Sequence, residues 1–300
     1  MCIRDSYSAE KFERAFRESL IETGWKIIRN SPAGAVQDFL KTYFMLRFEC
    51  ENIKTILRAA SVGLPFKEIS RRIYMKVEDY LKRRDPITHA ITAINVRSVV
   101  DALKATEYGP ILSTGLKRYE KTGALKFFDV LIDKMFYETL GEAFEGLPER
   151  ERPYALPYVS MENDGFNLCT ILRAKNLGYD PHWIRMAISR KTYNVPQEMV
   201  ESLVMASDFD SALKIVRQSY YKSMFMGHGS PEEVVSAAEE AFKRAILAHA
   251  KKTRVGDLFN VGVPLGFLIQ KEVEVHNLIT VSLGIEYGWK PDRILALLLL

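Results

Sequence analysis

The chain has 300 residues, 47% of them hydrophobic and 27% charged, with a formal net charge of +4. That is the ordinary mix of a globular protein with a large core, and so mild a charge gives no ground for a nucleic-acid partner. Cys2, Cys50 and Cys169 are far apart and odd in number, so they outline neither a disulfide framework nor a metal site, and no apolar run approaches the roughly 18 residues of a membrane span.

Along the chain, the opening Met1-Cys2-Ile3-Arg4-Asp5-Ser6 matches nothing downstream and is set aside as a non-native start. Helical periodicity dominates from there. Phe12, Phe16, Ile21, Trp25 and Ile28 form a first apolar stripe, and Phe128, Leu131, Ile132, Met135 and Phe136 recur at spacings of three and four. Ser230-Pro231-Glu232-Glu233 holds both partners of a capping box, with Gly227-His228-Gly229 as the turn that leads into it. Asp180-Pro181 reads as a second helix start, and Pro32, Pro65, Pro86, Pro148, Pro196 and Pro291 punctuate between helices.

Three stretches share one pattern. Glu49-x-x-Asn52-Ile53-x-Thr55-Ile56-Leu57-Arg58-Ala59 ends at Gly63, Asp164-x-x-Asn167-Leu168-x-Thr170-Ile171-Leu172-Arg173-Ala174 ends at Gly178, and Glu274-x-x-Asn277-Leu278-x-Thr280-Val281 ends at Gly288. The asparagines lie 115 and then 110 residues apart, and Leu283 replaces the arginine in the third copy. Ile69, Ile184 and Ile294 follow the glycines by six residues, and Ile73, Ile188 and Leu298 by ten. Each copy therefore predicts a helix, a left-handed glycine cap and a second short amphipathic helix.

A further shared element, Leu103–Tyr108 against Val204–Phe209, lies ahead of the second and third copies; ahead of the first it would fall before residue 1. The expected organisation is three helical units, residues 7–97 (incomplete at its N-terminal side), 98–193 and 194–300.

On a helical wheel Glu49, Asn52, Ile53 and Ile56 share a face, as do their counterparts, while Arg58 lies opposite Glu49. A carboxylate and an amide within an apolar stripe need hydrogen-bond partners, so both are expected to bind the backbone of neighbouring helices and to fix how units meet. Arg58 and Arg173 are expected to be solvated or in intramolecular salt bridges, the alternative being a partner's acid or a neighbouring unit's carbonyls. No phosphate loop, H-E-x-x-H or G-x-S-x-G motif occurs, and His89, His182, His228, His249 and His276 do not pair at metal spacing. No catalytic, cofactor-binding or metal-binding set emerges.

The repeated signature resembles that of the rotor C subunit of archaeal and bacterial A/V-type ATP synthases, equivalent to the d subunit of vacuolar ATPases. Phe127–Tyr137 is similar to that family's acidic-aromatic helix, and Leu103–Tyr108 to the start of its second unit. The resemblance implies an all-α, funnel-like body of three units about a pseudo-threefold axis. It implies a non-catalytic central-stalk component without cofactor. Its partners would be the proteolipid rotor ring and the central-stalk subunits, at the cytoplasmic face of a membrane. An open helical-repeat scaffold for other protein partners is the alternative, and a helical enzyme is a third reading.

Overall fold

Helices make up the regular structure of the computed structural model, which describes residues 8–253 and 258–300; no strand occurs among them. The opening Met1–Ser6 lies outside the described residues. In chain order, α1 (Ala9–Asn30) is followed by α2 (Ala35–Leu40), a π-helical turn (Lys41–Met45) and α3 (Leu46–Ser61), which holds the first signature. Past Gly63 come α4 (Phe66–Ser70), α5 (Met75–Leu81), α6 (Arg84–Ile91) and α7 (Val96–Ala102). Then α8 (Gly109–Thr122) and α9 (Lys126–Glu145) lead to α10 (Arg152–Asn176), with the second signature. They are followed by α11 (Pro181–Ala187), α12 (Gln197–Met205), α13 (Phe209–Val216) and a 3-10 turn at Lys222–Phe225. Last come α14 (Pro231–Lys252), α15 (Gly262–Glu286), with the third signature, and α16 (Pro291–Ala296).

Local chemistry explains many of these limits. The Ser230 hydroxyl accepts from Glu233 N while the Glu233 carboxylate accepts from Ser230 N, so the capping box forms. Asp180, Asn95 and Asp208 each accept from the backbone N–H three residues on. Pro86 departs from expectation: it sits in the first turn of α6, where its missing N–H leaves no helical bond unmade. The expected limit between residues 97 and 98 falls inside α7, while that between 193 and 194 lies in the loop joining α11 to α12.

The three signature helices end alike. Gly63, Gly178 and Gly288 have φ of 66°, 69° and 64°. The next residue in each case, Leu64, Tyr179 or Trp289, donates its N–H to the carbonyl five residues back, at 3.0, 3.0 and 2.8 Å. This is the Schellman closure, and an L side chain at the glycine strains it. The chain then turns into α4, α11 and α16, the short second helices.

Packing follows a cycle. α3 lies against α9, α10 against α14, and α15 against α1. The last contact brings a helix from late in the chain onto the first one, and the N–H of Ala9 donates to the Glu286 carboxylate at 2.6 Å. One apolar core runs from Leu20 through Ile53 and Tyr158 to Ile279, joining all three units, and a second surrounds Leu168, Ile184, Leu213 and Phe242. Ile53, Ile56, Leu168 and Ile171 of the signatures are fully buried, each contributing about 1.5–3 kcal/mol. Tyr43, Phe44 and Met45 of the π turn are also buried, so the wider turn aims three large side chains inward.

Replacing Gly178 by alanine should lower the unfolding free energy by about 1–2 kcal/mol, the cost of a left-handed L residue, with nothing nearby for the new methyl to strike. Urea unfolding followed by circular dichroism checks this.

Candidate functional site

The signature asparagines do one job three times. Asn52 accepts from Tyr74 N at 2.9 Å and donates to Tyr74 O at 3.2 Å. Asn167 does the same with Ser189, at 2.8 and 3.0 Å, and Asn277 with Leu299, at 3.0 and 2.8 Å. The partner is 22 residues on in every copy. Each amide thus clasps the strand of backbone that follows its own short second helix. The expectation that the asparagines join neighbouring units is corrected: they close each unit on itself, because the glycine turn brings the chain back along the helix that carries them.

The acids and arginines face outward from their units. Glu49 is 1% exposed and accepts from Arg83 and from the Tyr108 hydroxyl, each at 2.7 Å. Asp164, fully buried, accepts from Tyr193 N, Asn194 N and the Tyr221 hydroxyl at 2.9, 2.7 and 3.1 Å. In both cases a phenol from the next unit meets the acid. Glu274 differs: it is half-exposed and pairs with Lys271 at 2.8 Å. Arg58 pairs with Asp129 of α9 at 2.9 Å, and Arg173 grips Glu239 of α14 with two bonds of 2.5 and 2.6 Å. These arginine pairs link successive units. Leu283, at the third place, is partly buried against the main core instead.

The residues that bring the three units together are ones the sequence reading passed over. Arg47, Glu162 and Glu272 each stand five positions before a signature asparagine, so they occupy one place in the repeat. They meet: Arg47 Nη2 lies 2.8 Å from Glu162 and Nη1 3.5 Å from Glu272. Tyr43 and Tyr137 also donate to Glu162, at 3.1 and 3.3 Å, and the guanidinium sits over the Tyr43 and Phe136 rings. Burial alone would lower the pKa of Arg47; Glu162 and Glu272 outweigh it and hold the guanidinium charged. Extending the repeat five residues upstream would have exposed this position as a charge recurring on an apolar helix.

Beside this junction is a cavity of about 620 Å³ between α3, α9, α10 and α14. Its acids are each held by a cation, Asp133 by Lys54 at 2.5 Å, Glu239 by Arg173 and Glu162 by Arg47, while Lys126 lies over the Phe127 and Tyr179 rings. Its thiols, Cys50 and Cys169, are pushed up by burial and so stay protonated. No group of three or more His, Cys, Asp or Glu suited to a metal ion occurs among the described residues. Among those residues no helix is long and apolar enough to cross a membrane.

Unit one has an addition. Between Tyr74 and Leu103 it runs 14 residues longer than unit two does between Ser189 and Val204 (29 against 15), and this longer stretch forms α5 and α6. It brings Glu78 beside Glu49. Glu78 is fully buried; its Oε1 accepts from Asn52 at 2.7 Å and its Oε2 has no protein partner. Burial and the Glu49 charge push its pKa up to about 8, and burial also raises Glu49 against the pull of Arg83.

The sequence of the chain has matches among known proteins. The sequence profile described as "ATP synthase (C/AC39) subunit" matches residues 3–297. The chain belongs to the ATP synthase C/AC39 family. It is 27% identical over 292 residues to the A-type ATP synthase C subunit of Methanocaldococcus jannaschii, covering 96% of this chain and 71% of that protein. With the protein of the same name from Methanothermobacter thermautotrophicus it shares 28% over 271 residues, 89% of this chain and 68% of the relative. With that of Methanobrevibacter smithii it shares 26% over 261 residues, 84% and 65%. The chain therefore spans 65% to 71% of the length of these relatives.

Two outcomes are expected. Arg47→Ala should cost about 2 kcal/mol, below the value for a fully buried pair because Arg47 and Glu272 keep contact with water. A double-mutant cycle with Glu162→Gln should show the two sites coupled. Second, an acid raised in the folded state binds a proton that the unfolded chain releases. Glu78 should therefore make stability fall as pH rises from its ordinary 4.5 through about 8. Glu78→Gln should remove that slope. His249 and His276, lowered by burial, slope the opposite way near 6.5, so the check is the difference between the two proteins in urea midpoint at pH 5.5 and pH 8.

Proposed function

We propose that this protein is a non-catalytic central-stalk subunit of an A- or V-type rotary ATP synthase or ATPase, linking the membrane rotor ring to the central stalk and passing torque between them. The observation that carries the reading past family membership is the closed order of contacts, with Arg47, Glu162 and Glu272 meeting from equivalent places in three helices. Equivalent positions converge when copies surround a common axis, which supports a pseudo-threefold, funnel-like body. Closure also favours stiffness. Shearing one seam of a closed, densely packed cycle strains the other two, so twist applied at one end reaches the other.

The partners on this reading are the proteolipid ring and the central-stalk subunits, with the protein peripheral on the cytoplasmic face. The residues Glu49, Asn52, Arg58, Gly63, Asp164, Asn167, Arg173, Gly178, Glu274, Asn277 and Gly288 act as structural fixings rather than as a reaction centre. An open helical scaffold would have each unit touch only its neighbours, and the packing of α15 on α1 speaks against it. For an enzyme, the cavity would need an acid or nucleophile free to act, whereas Asp133, Glu162 and Glu239 are each held by a cation and both thiols are kept protonated by burial.

The tagged chain should co-purify with the rotor ring and stalk subunits from detergent-solubilised membranes. Complexes carrying Arg47→Glu should hydrolyse ATP while pumping ions several-fold more slowly. A chain that associates with neither body ends the reading.

A further inference from the structure

The Glu49 carboxylate is a joint between two parts of the chain. Its Oε2 accepts from the Tyr108 hydroxyl, just ahead of α8, and from Arg83, just past the end of α5; Arg83 also pairs with Glu107. Onto this joint α5 brings the fully buried Glu78. The Glu78 Oε1 takes the Asn52 amide at 2.7 Å, while its Oε2 finds no donor. The Glu78 and Glu49 carboxyls lie within hydrogen-bonding reach of each other. Two ionised carboxylates have no hydrogen to place between them, and each would face a like charge in a dry site. A carboxylic acid at Glu78 resolves both problems: its O–H donates to Glu49, and its other oxygen still accepts from Asn52. A metal ion would suit the place poorly, because the Asn52 amide, the Tyr108 hydroxyl and the Arg83 guanidinium all turn hydrogens towards it.

We propose that Glu78 and Glu49 form a buried proton-binding site, in which one shared proton latches the α5–α6 segment onto α3 and keeps the Arg83–Glu49–Tyr108 joint closed. The segment is held by little else. Of the seven residues of α5 only Val77 and Glu78 are buried, and beyond them stand the Trp25–Tyr80 stack, with centroids 4.7 Å apart, and the Lys76–Glu22 pair. The surroundings offer no second cation to an ionised Glu78. α1 meets α5 with Glu22, held by Lys76 and with Lys26 near it, and with the Arg14–Glu18 and Arg17–Glu13 pairs. The π turn has Lys41, paired with Asp38, and Tyr43, bonded to Glu162. α6 has Arg84, paired with Asp79, and Asp85 and His89 in water; Lys82 at the end of α5 is exposed as well. The remaining charges of α3 pair towards α9, α10 and α15. Arg83 is thus the cation of the joint, already divided between Glu49 and Glu107. Loss of the proton puts a second negative charge there, draws Arg83 from Glu107, and favours a position of α5 that gives Glu78 water. Freed, Glu78 returns to its ordinary 4.5, against about 8 when seated. The latch is therefore fully set below 4.5, weakens by about tenfold per pH unit between these values and levels off above 8. It rests on this joint and not on the rotor role.

Two measurements on the whole chain test this. Infrared spectroscopy in heavy water at neutral pH should show the carbonyl stretch of a buried carboxylic acid. The band should be missing in Glu78→Gln, and in Glu49→Gln it should vanish at a lower pH than in the parent, because the like charge is gone. Amide hydrogen exchange should show the latch itself. Protection over residues 75–91, corrected for intrinsic rates and measured in urea too dilute for global unfolding, should fall by more than about tenfold between pH 5.5 and pH 7.5. In Glu78→Gln it should stay level, since the glutamine amide can donate to Glu49 and accept from Asn52 at every pH. Absence of an acid band that depends on Glu78 overturns the proposal, and so does the same pH dependence over 75–91 in both proteins. Protection there that rises with added sodium, magnesium or calcium ions, without the band, also overturns it, since a cation would then be the ligand. Should Glu78→Gln not fold, carbon-13 spectra of the glutamate carboxyls in the parent chain need no substitution. One resonance should keep the shift of a neutral acid at neutral pH, and a full set of ionised shifts overturns the site. No readout uses another component of an ATPase, so the result is separate from the fate of the rotor assignment.

Discussion

The contact between Arg47, Glu162 and Glu272 is the constraint on which the rest of the architecture leans. Three long helices from distant parts of the chain approach at this one place, and three charges there would repel or go unsolvated if all were alike. One cation against two anions resolves that. The hydroxyls of Tyr43 and Tyr137 supply further donors to Glu162, so its carboxylate is well satisfied inside the protein.

Around that junction the polar groups divide their labour. Amides act within a unit: each signature asparagine accepts from and donates to one backbone residue, and the second N–H of Asn52 goes to Glu78. Carboxylates and guanidinium groups act between units, through Tyr108 and Tyr221 on one side of the helix and Asp129 and Glu239 on the other. One helix can serve both ends because its turn of 3.6 residues puts the arginine opposite the acid. Unit one goes further, since α5 adds Glu78 to the Glu49 site and leaves two buried carboxyls competing for a proton.

Much of this was readable from the sequence because the repeat is written in residues with narrow physical uses. Gly63, Gly178 and Gly288 mark left-handed caps that few residues tolerate, and an asparagine inside an apolar stripe demands a partner. The partner's identity was not legible. A clasp to backbone 22 residues on depends on how a turn and a short helix return, and a carbonyl looks the same in every residue. Arg47, Glu162 and Glu272 escaped notice since they differ in charge sign, so the eye scanning for identity misses a place whose sameness is geometric. Tyr221 was hidden for a related reason: the counterpart of Tyr108 in the sequence is Phe209, which has no hydroxyl, and the phenol reaches Asp164 from a later position. The closure of α15 on α1 leaves no local trace at all.

The unlike charges at the junction have a consequence for handedness of fit. A body whose three matching corners read plus, minus, minus does not map onto itself after a third of a turn. A charged group brought near that junction is therefore met unequally by the three helices, an acid being drawn towards α3 and a base towards α10 and α15.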